Sequence, residues 1–154
     1  MIATILLALA AAAQEPPAPP PNPANADWHF RYLNRLDPAQ GWRRMPSGLR
    51  YRKVSGSARG PNPAATDTVT IHYAGRFIDG TEFDSSVARG EPATFPLPRL
   101  IRGWQEGVPL MSVGDRYEFA IPYTLAYGPA GRGPIPGGAT LIFTIDLIAI
   151  PAQP

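Results

Sequence analysis

Cysteine is absent from the 154 residues, which removes disulfides, thiolate metal sites and a cysteine nucleophile. Histidine is scarce: His29 and His72 lie far apart and show no metal-ligand spacing, so no metal centre is expected. Long apolar runs are missing too. The longest, in the N-terminal MIATILLALAAAAQE, holds about a dozen residues, short of the ~20 that cross a bilayer. The net charge of +2 is small and gives no reason to expect a nucleic-acid partner. What remains is a length suited to one domain with a proper core plus extensions.

The charge that is present is unevenly spread. Residues 28–59 carry eight Lys/Arg (Lys53 the one lysine among them) against Asp37 alone, whereas residues 60–154 carry six against nine Asp/Glu. The basic flank suits an anionic surface or acidic clients; a solvated flank complementing the acidic remainder is the plainer reading. Ahead of it, the apolar N-terminal run ends in Ala11-Ala12-Ala13, a small-x-small pattern that predicts an export leader over 1–13, cleaved before Gln14. Residues 14–26, QEPPAPPPNPANA, contain six prolines and no large apolar side chain, which predicts an extended linker. Residues 27–44 form a basic arm in which 27–37 suit a short helix capped by Asp27, with no clean apolar stripe.

From residue 45 the pattern is one of short strands. Residues 48–55 read as the first. TVTIHY (68–73) alternates, setting Val69, Ile71 and Tyr73 on one face and His72 on the other. Residues 76–78 and 81–83 flank Asp79-Gly80, a hairpin dipeptide. Further strands are expected at 93–97, 115–121 and 139–150, the last two separated by a Gly/Pro-rich loop. Between the strands at 93–97 and 115–121, LIRGWQEGVP (100–109) has apolar residues at helical spacing, yet Gly103 and Gly107 weaken a helix by about 1 kcal/mol each and Pro109 stops it. A helix this short is marginal alone, so it must be held by what it packs on. The fold class is therefore α+β, a twisted antiparallel β-sheet wrapped around one short α-helix, with an N-terminal extension. Trp104 on that helix becomes the floor of an apolar site walled by Tyr73, Phe83, Phe95 and Phe143.

VTIHYAGRFIDGTEFDSS (69–86), IRGWQEGVPLMSVGDR (101–116), AYGPAG (126–131) and IPGGATLIFTIDLI (135–148), with MPSGLRYRKV (45–54) upstream, resemble the FKBP-type peptidyl-prolyl cis–trans isomerases, exported bacterial members in particular. The resemblance covers residues 45–150 in the family's order. It implies a proline pocket formed by Tyr73, Phe83, Leu100, Trp104 and Phe143, to which the strand reading adds Phe95. It also implies substrate carbonyls held by the Ile101 N–H and the Tyr127 hydroxyl, and Asp84 at the rim beside Tyr73 and Arg89. Asp84, Tyr127 and Ile101 are thus the expected catalytic residues, with no metal and no cofactor.

The implied partners are proline-containing unfolded or nascent exported polypeptides, with macrolides as a further ligand class. The implied setting is the periplasm or another extracytoplasmic space; the 14–44 arm is too short and too polar for a long coiled coil, so a monomer is the default expectation. Taken singly, Trp104, Phe83 and Phe143 also suit an ordinary core, Asp84 an Asx-turn, and Tyr127 a loop-shaping role. Ala93 stands where many members have an aromatic residue, so one wall is expected to be more open. The 128–138 loop is short, and IPGG replaces the more common IPP-type sequence, which is expected to loosen the rim. The rival function is a binding module that grips a proline loop or macrolide without turnover.

Overall fold

The computed structural model describes residues 23–151; the expected leader and most of the proline-rich segment lie outside them. Seven strands form one antiparallel sheet: β1 (Arg43–Arg44), β2 (Arg50–Ser55), β3 (Thr68–Phe77), β4 (Glu82–Ser85), β5 (Ala93–Pro96), β6 (Arg116–Ile121) and β7 (Leu141–Ala149). Their order is β1-β2-β6-β7-β3, with β4 and β5 both pairing with β3 on its far side. The long strand β3 therefore carries two partners end to end: β5 along residues 68–71 and β4 along 74–76. Helices are short: α1 (Pro23–Asn34), α2 (Ser86–Arg89) and α3 (Arg102–Gly107).

Besides the short β1 and α2, which the sequence reading did not mark, two segmentations differ from it. Residues 68–73 and 76–78, expected as separate strands, are one strand, because burial alternates without a break from Thr68 to Phe77. Gly75 does not interrupt the chain; it sits within β3, opposite Phe143 of β7 and Asp84 of β4. The second difference is α1. It begins at Pro23, inside the stretch read as linker and four residues before Asp27. Proline is compatible with a first helical turn, where its missing N–H would have no partner anyway, and Ala24 and Ala26 are strong helix formers.

The core lies on the concave face. Val69, Ile71 and Tyr73 of β3, Phe119 and Ile121 of β6, and Leu141, Phe143, Ile145 and Leu147 of β7 are all buried there, and α3 packs across them. The glycines of α3 are explained by that packing. A Cβ on Gly103 would lie 2.5 Å from Ile121, and one on Gly107 2.6 Å from Phe119. Each glycine gives up helix propensity to let the helix backbone lie directly on β6. The convex face holds a smaller cluster of Trp42, Ala120 and Ile142, covered by Tyr32, Leu33 and Leu36 from α1 and the segment after it. The arm is tied down further by Thr140 N–H donating to His29 Nδ1 at 3.1 Å and Arg50 Nη2 donating to Asn34 Oδ1 at 3.2 Å.

Candidate functional site

Five elements bring their aromatic residues to one place. Trp104 of α3 is 1 % exposed and meets three rings edge-on: Tyr73 at 5.3 Å, Phe95 at 5.9 Å and Phe143 at 5.1 Å between centroids. Tyr73 also touches Phe95 and Phe143, and Phe83 stands at right angles to Phe143 at 5.7 Å. Edge-to-face contacts of this kind contribute about 0.5–1.5 kcal/mol each beyond area burial. The cluster depends on Gly75, a residue the sequence reading did not single out. A Cβ there would lie 2.7 Å from both the Phe143 and Phe83 rings, so only glycine lets the two rings close over the strand.

The indole nitrogen of Trp104 is buried without a hydrogen-bond partner among the described residues. Leaving such a donor unmade costs about 1–3 kcal/mol.

Around this closed cluster stand half-buried residues: Phe83, Asp84, Ile101 and Tyr127. Asp84 makes a triangle. Tyr73 Oη donates to its Oδ2 at 2.6 Å, Arg89 Nη1 donates to its Oδ1 at 2.6 Å, and Arg89 Nη2 donates to Tyr73 Oη at 3.1 Å. Both carboxylate oxygens of Asp84 are engaged in the triangle. It is Ser85 that caps α2, accepting from Ala88 N–H at 3.0 Å. Burial, then the hydrogen bond to Asp84, pushes the Tyr73 phenol far above the usual tyrosine range. Ser86, also missed by the sequence reading, supports the triangle from below. Its hydroxyl is fully buried and accepts from Tyr73 N–H at 2.8 Å, with His72 Nδ1 at 2.9 Å on its other side. His72 thus lies off the core face, as its place in the alternation implies.

Ile101 precedes α3 in extended conformation and uses its carbonyl to accept from Trp104 N–H at 3.0 Å and Gln105 N–H at 3.2 Å. No acceptor among the described residues meets its own N–H. The run into the helix is fixed by Gln105 Nε2, which donates to the Leu100 carbonyl at 2.7 Å. Leu100 is buried in the core beneath.

Tyr127 lies in the loop between β6 and β7. Burial raises its phenol well above the usual range, Arg132 opposes this and the Asp84 carboxylate adds to it. That loop is tightly folded rather than loosened by its glycines. Gly138 N–H donates to Gly128 O at 2.9 Å, and Arg132 and Ile135 exchange backbone bonds at 2.8 and 2.9 Å. A Cβ on Gly137 would collide with the Pro129 carbonyl, so the second glycine of IPGG permits a close approach. Ala93, expected to open one wall, is itself only 4 % exposed.

The chain therefore holds an aromatic cluster beneath a rim containing one paired carboxylate, one protonated phenol and one backbone N–H without an acceptor. Among the described residues there is no group of side chains able to hold a metal ion, and no helix is long and apolar enough to cross a membrane.

Residues 60–148 match the family described as FKBP-type peptidyl-prolyl cis-trans isomerase. The chain is 50 % identical over 119 residues to the isomerase FkpA of Aeromonas hydrophila, covering 77 % of this chain and 44 % of that protein. It is 47 % identical over 121 residues to the 22 kDa FKBP-type isomerase of Escherichia coli, covering 78 % of this chain and 58 % of the relative. It thus spans about half the length of these relatives. Among solved structures, FkpA from Escherichia coli superposes with a TM-score of 0.81 at 37 % identity, over 85 % of this chain and 61 % of that one. With the four sequence blocks falling on one folded site, the chain belongs to the FKBP-type peptidyl-prolyl cis-trans isomerase family.

Proposed function

We propose that this chain accelerates rotation about X-Pro peptide bonds in polypeptides, with Trp104 as the floor of the site, Tyr73, Phe83, Phe95 and Phe143 as its walls and Leu100 beneath. The observation that carries this reading is the convergence of those rings under Asp84, Ile101 and Tyr127 in a chain of this family. The reaction breaks no covalent bond. Its barrier is amide resonance of ~18–20 kcal/mol, and an unassisted X-Pro bond exchanges in roughly tens to hundreds of seconds.

A planar amide separates charge between oxygen and nitrogen, and the twisted transition state separates less. An aromatic, water-poor surface disfavours the planar form more than the twisted one. The Ile101 N–H and the Tyr127 hydroxyl hold flanking carbonyls so that one side of the bond stays fixed while the other turns. A lowering of about 7 kcal/mol would accelerate exchange by roughly five decades. Asp84 acts through Tyr73, holding its ring in place as a wall.

The natural clients on this reading are unfolded proline-containing chains outside the cytoplasm. The apolar N-terminal run with its Ala11-Ala12-Ala13 end supports export, followed by a linker, a basic arm and a monomeric isomerase domain over 45–150. Macrolides suit the same rings. The test is cis-to-trans exchange of a Leu-Pro or Phe-Pro peptide with residues 14–154, alongside the double variant Tyr127→Phe, Trp104→Leu. Strong acceleration that is lost in the variant is the expected result. A folded protein no faster than buffer would leave a non-catalytic proline-binding module.

A further inference from the structure

Among the described residues, the convex face of the sheet contains a charge without a counter-charge. On β2, residues 50 and 52 share that face, and each lies opposite one residue of β1 or its run-in and one of β6. Arg52 is fully provided for: its guanidinium lies 5.0 Å from the centre of the Trp42 ring and donates to Glu118 Oε1 at 2.8 Å. Glu118 also takes Arg76 Nη2 at 3.4 Å. Two residues along, the register sets Arg50 against Ala120 on β6 and Arg44 on β1. Where Arg52 finds a carboxylate, Arg50 finds a methyl group on one side and a second cation on the other.

Arg50 is only 9 % exposed. Its guanidinium contacts two neutral acceptors, the Gly48 carbonyl at 3.1 Å and Asn34 Oδ1 at 3.2 Å. None of the ion pairs among the described residues includes Arg50 or Arg44. A buried charge without a partner is costly, and like charges directly across a strand pair are destabilising. The end of α1 at Asn34 supplies about half a negative charge at most. Burial and Arg44 together hold the Arg50 guanidinium below its usual range.

We propose that Arg44 and Arg50 form a binding site for a phosphate group, with Arg50 as the recessed donor, Arg44 as the outer clamp and the Asn34 amide at its edge. Two guanidiniums on one face present paired N–H donors to an oxyanion; a free phosphate dianion neutralises both, and a phosphodiester monoanion neutralises one of them. The group comes either from free phosphate or from an anionic lipid headgroup, the latter in keeping with the excess of basic residues over 28–59. The site is on the opposite face of the sheet from Trp104, so phosphate and a proline substrate can be bound together.

The experiment uses full chain and compares it with Arg44→Gln and Arg43→Gln. Arg43 pairs with Tyr51, whose ring packs towards the concave core, so its loss removes the same charge from the other face. Both positions are exposed, and neither variant is expected to unfold. Arginine Nε–H NMR signals are followed during titration with inorganic phosphate against chloride of equal ionic strength. Co-sedimentation with phosphatidylglycerol vesicles, against phosphatidylcholine, forms the second arm.

Saturable binding in either arm is expected, weakened about tenfold or more by Arg44→Gln and changed less than about twofold by Arg43→Gln; the arm that responds names the source. Absence of saturation in both arms overturns the proposal. So does equal loss in the two variants, which would make the attraction a general effect of net charge.

Discussion

The triangle of Tyr73, Asp84 and Arg89 sets the chemistry of the rim. Asp84 is largely covered while Arg89 reaches solvent, so the arginine caps a carboxylate that faces inward. The short bond from Tyr73 and the high position of its phenol mean that the ring is held as a hydrogen-bond donor throughout the working range of pH. Burial likewise raises the Tyr127 phenol, which is held in its protonated form. Replacing Asp84 with Asn removes the charge from both bonds at little change in shape. Loss of one charge-assisted bond, about 1.5 kcal/mol, corresponds to roughly a tenfold fall in kcat/KM. A peptide exchange assay on Asp84→Asn, with circular dichroism to show that the fold is kept, checks this. An unchanged kcat/KM would mean that Tyr73 is placed by its packing against Trp104 and Phe95 alone.

At the scale of elements, α3 shows two rules in opposition. In isolation, glycine costs a helix about 1 kcal/mol relative to alanine, so Gly107→Ala should stabilise. On the sheet, the added methyl meets the Phe119 ring at 2.6 Å, and overpacking of a core costs about 1–3 kcal/mol. The tertiary effect is the larger. Gly107→Ala is expected to destabilise by about 1–2 kcal/mol, read from the midpoint of a urea transition, with Gly103→Ala against Ile121 behaving alike. A rise in the midpoint would mean that α3 sits farther from β6 than the contacts indicate. The same opposition explains what the alternation pattern conceals. Glycine in general weakens a strand, yet Gly75 is the place where β3 lets Phe83 and Phe143 meet.

For the whole molecule, the arm and the domain are joined across the convex face through His29, Asn34 and the Trp42 cluster. His29 accepts the Thr140 N–H and its folded pKa is lowered by burial. In the interval between that lowered value and the ordinary histidine value, the unfolded or undocked arm binds more protons than the docked one. Docking stability from His29 is therefore fully present above about pH 6.5 and is lost as the pH falls towards the folded value. Hydrogen exchange at the Thr140 amide, corrected for intrinsic rate, is expected to show weaker protection at pH 5 than at pH 7.5. In His29→Leu, which can neither accept nor titrate, the amide is expected to be poorly protected at both. Equal protection of the native chain at the two pH values would show that apolar packing alone holds the arm.

Local sequence determined which residues are chemically competent and what each segment prefers: the alternation of β3 and β7, the Asp79-Gly80 turn, the short helix bearing Trp104, and the ordered blocks that mark the family. These depend on spacing of two or three to four residues, which a chain displays along its own length. Only the tertiary structure decided that β3 runs unbroken through Gly75, that α1 starts at Pro23 and covers the back of the sheet, that Ser85 caps α2, and that Arg50 meets, among the described residues, no carboxylate such as its neighbour Arg52 has. Each of these is a relation between residues brought together by strand register or helix docking. Register is fixed by the summed packing of a whole face, and no window of the sequence contains that sum.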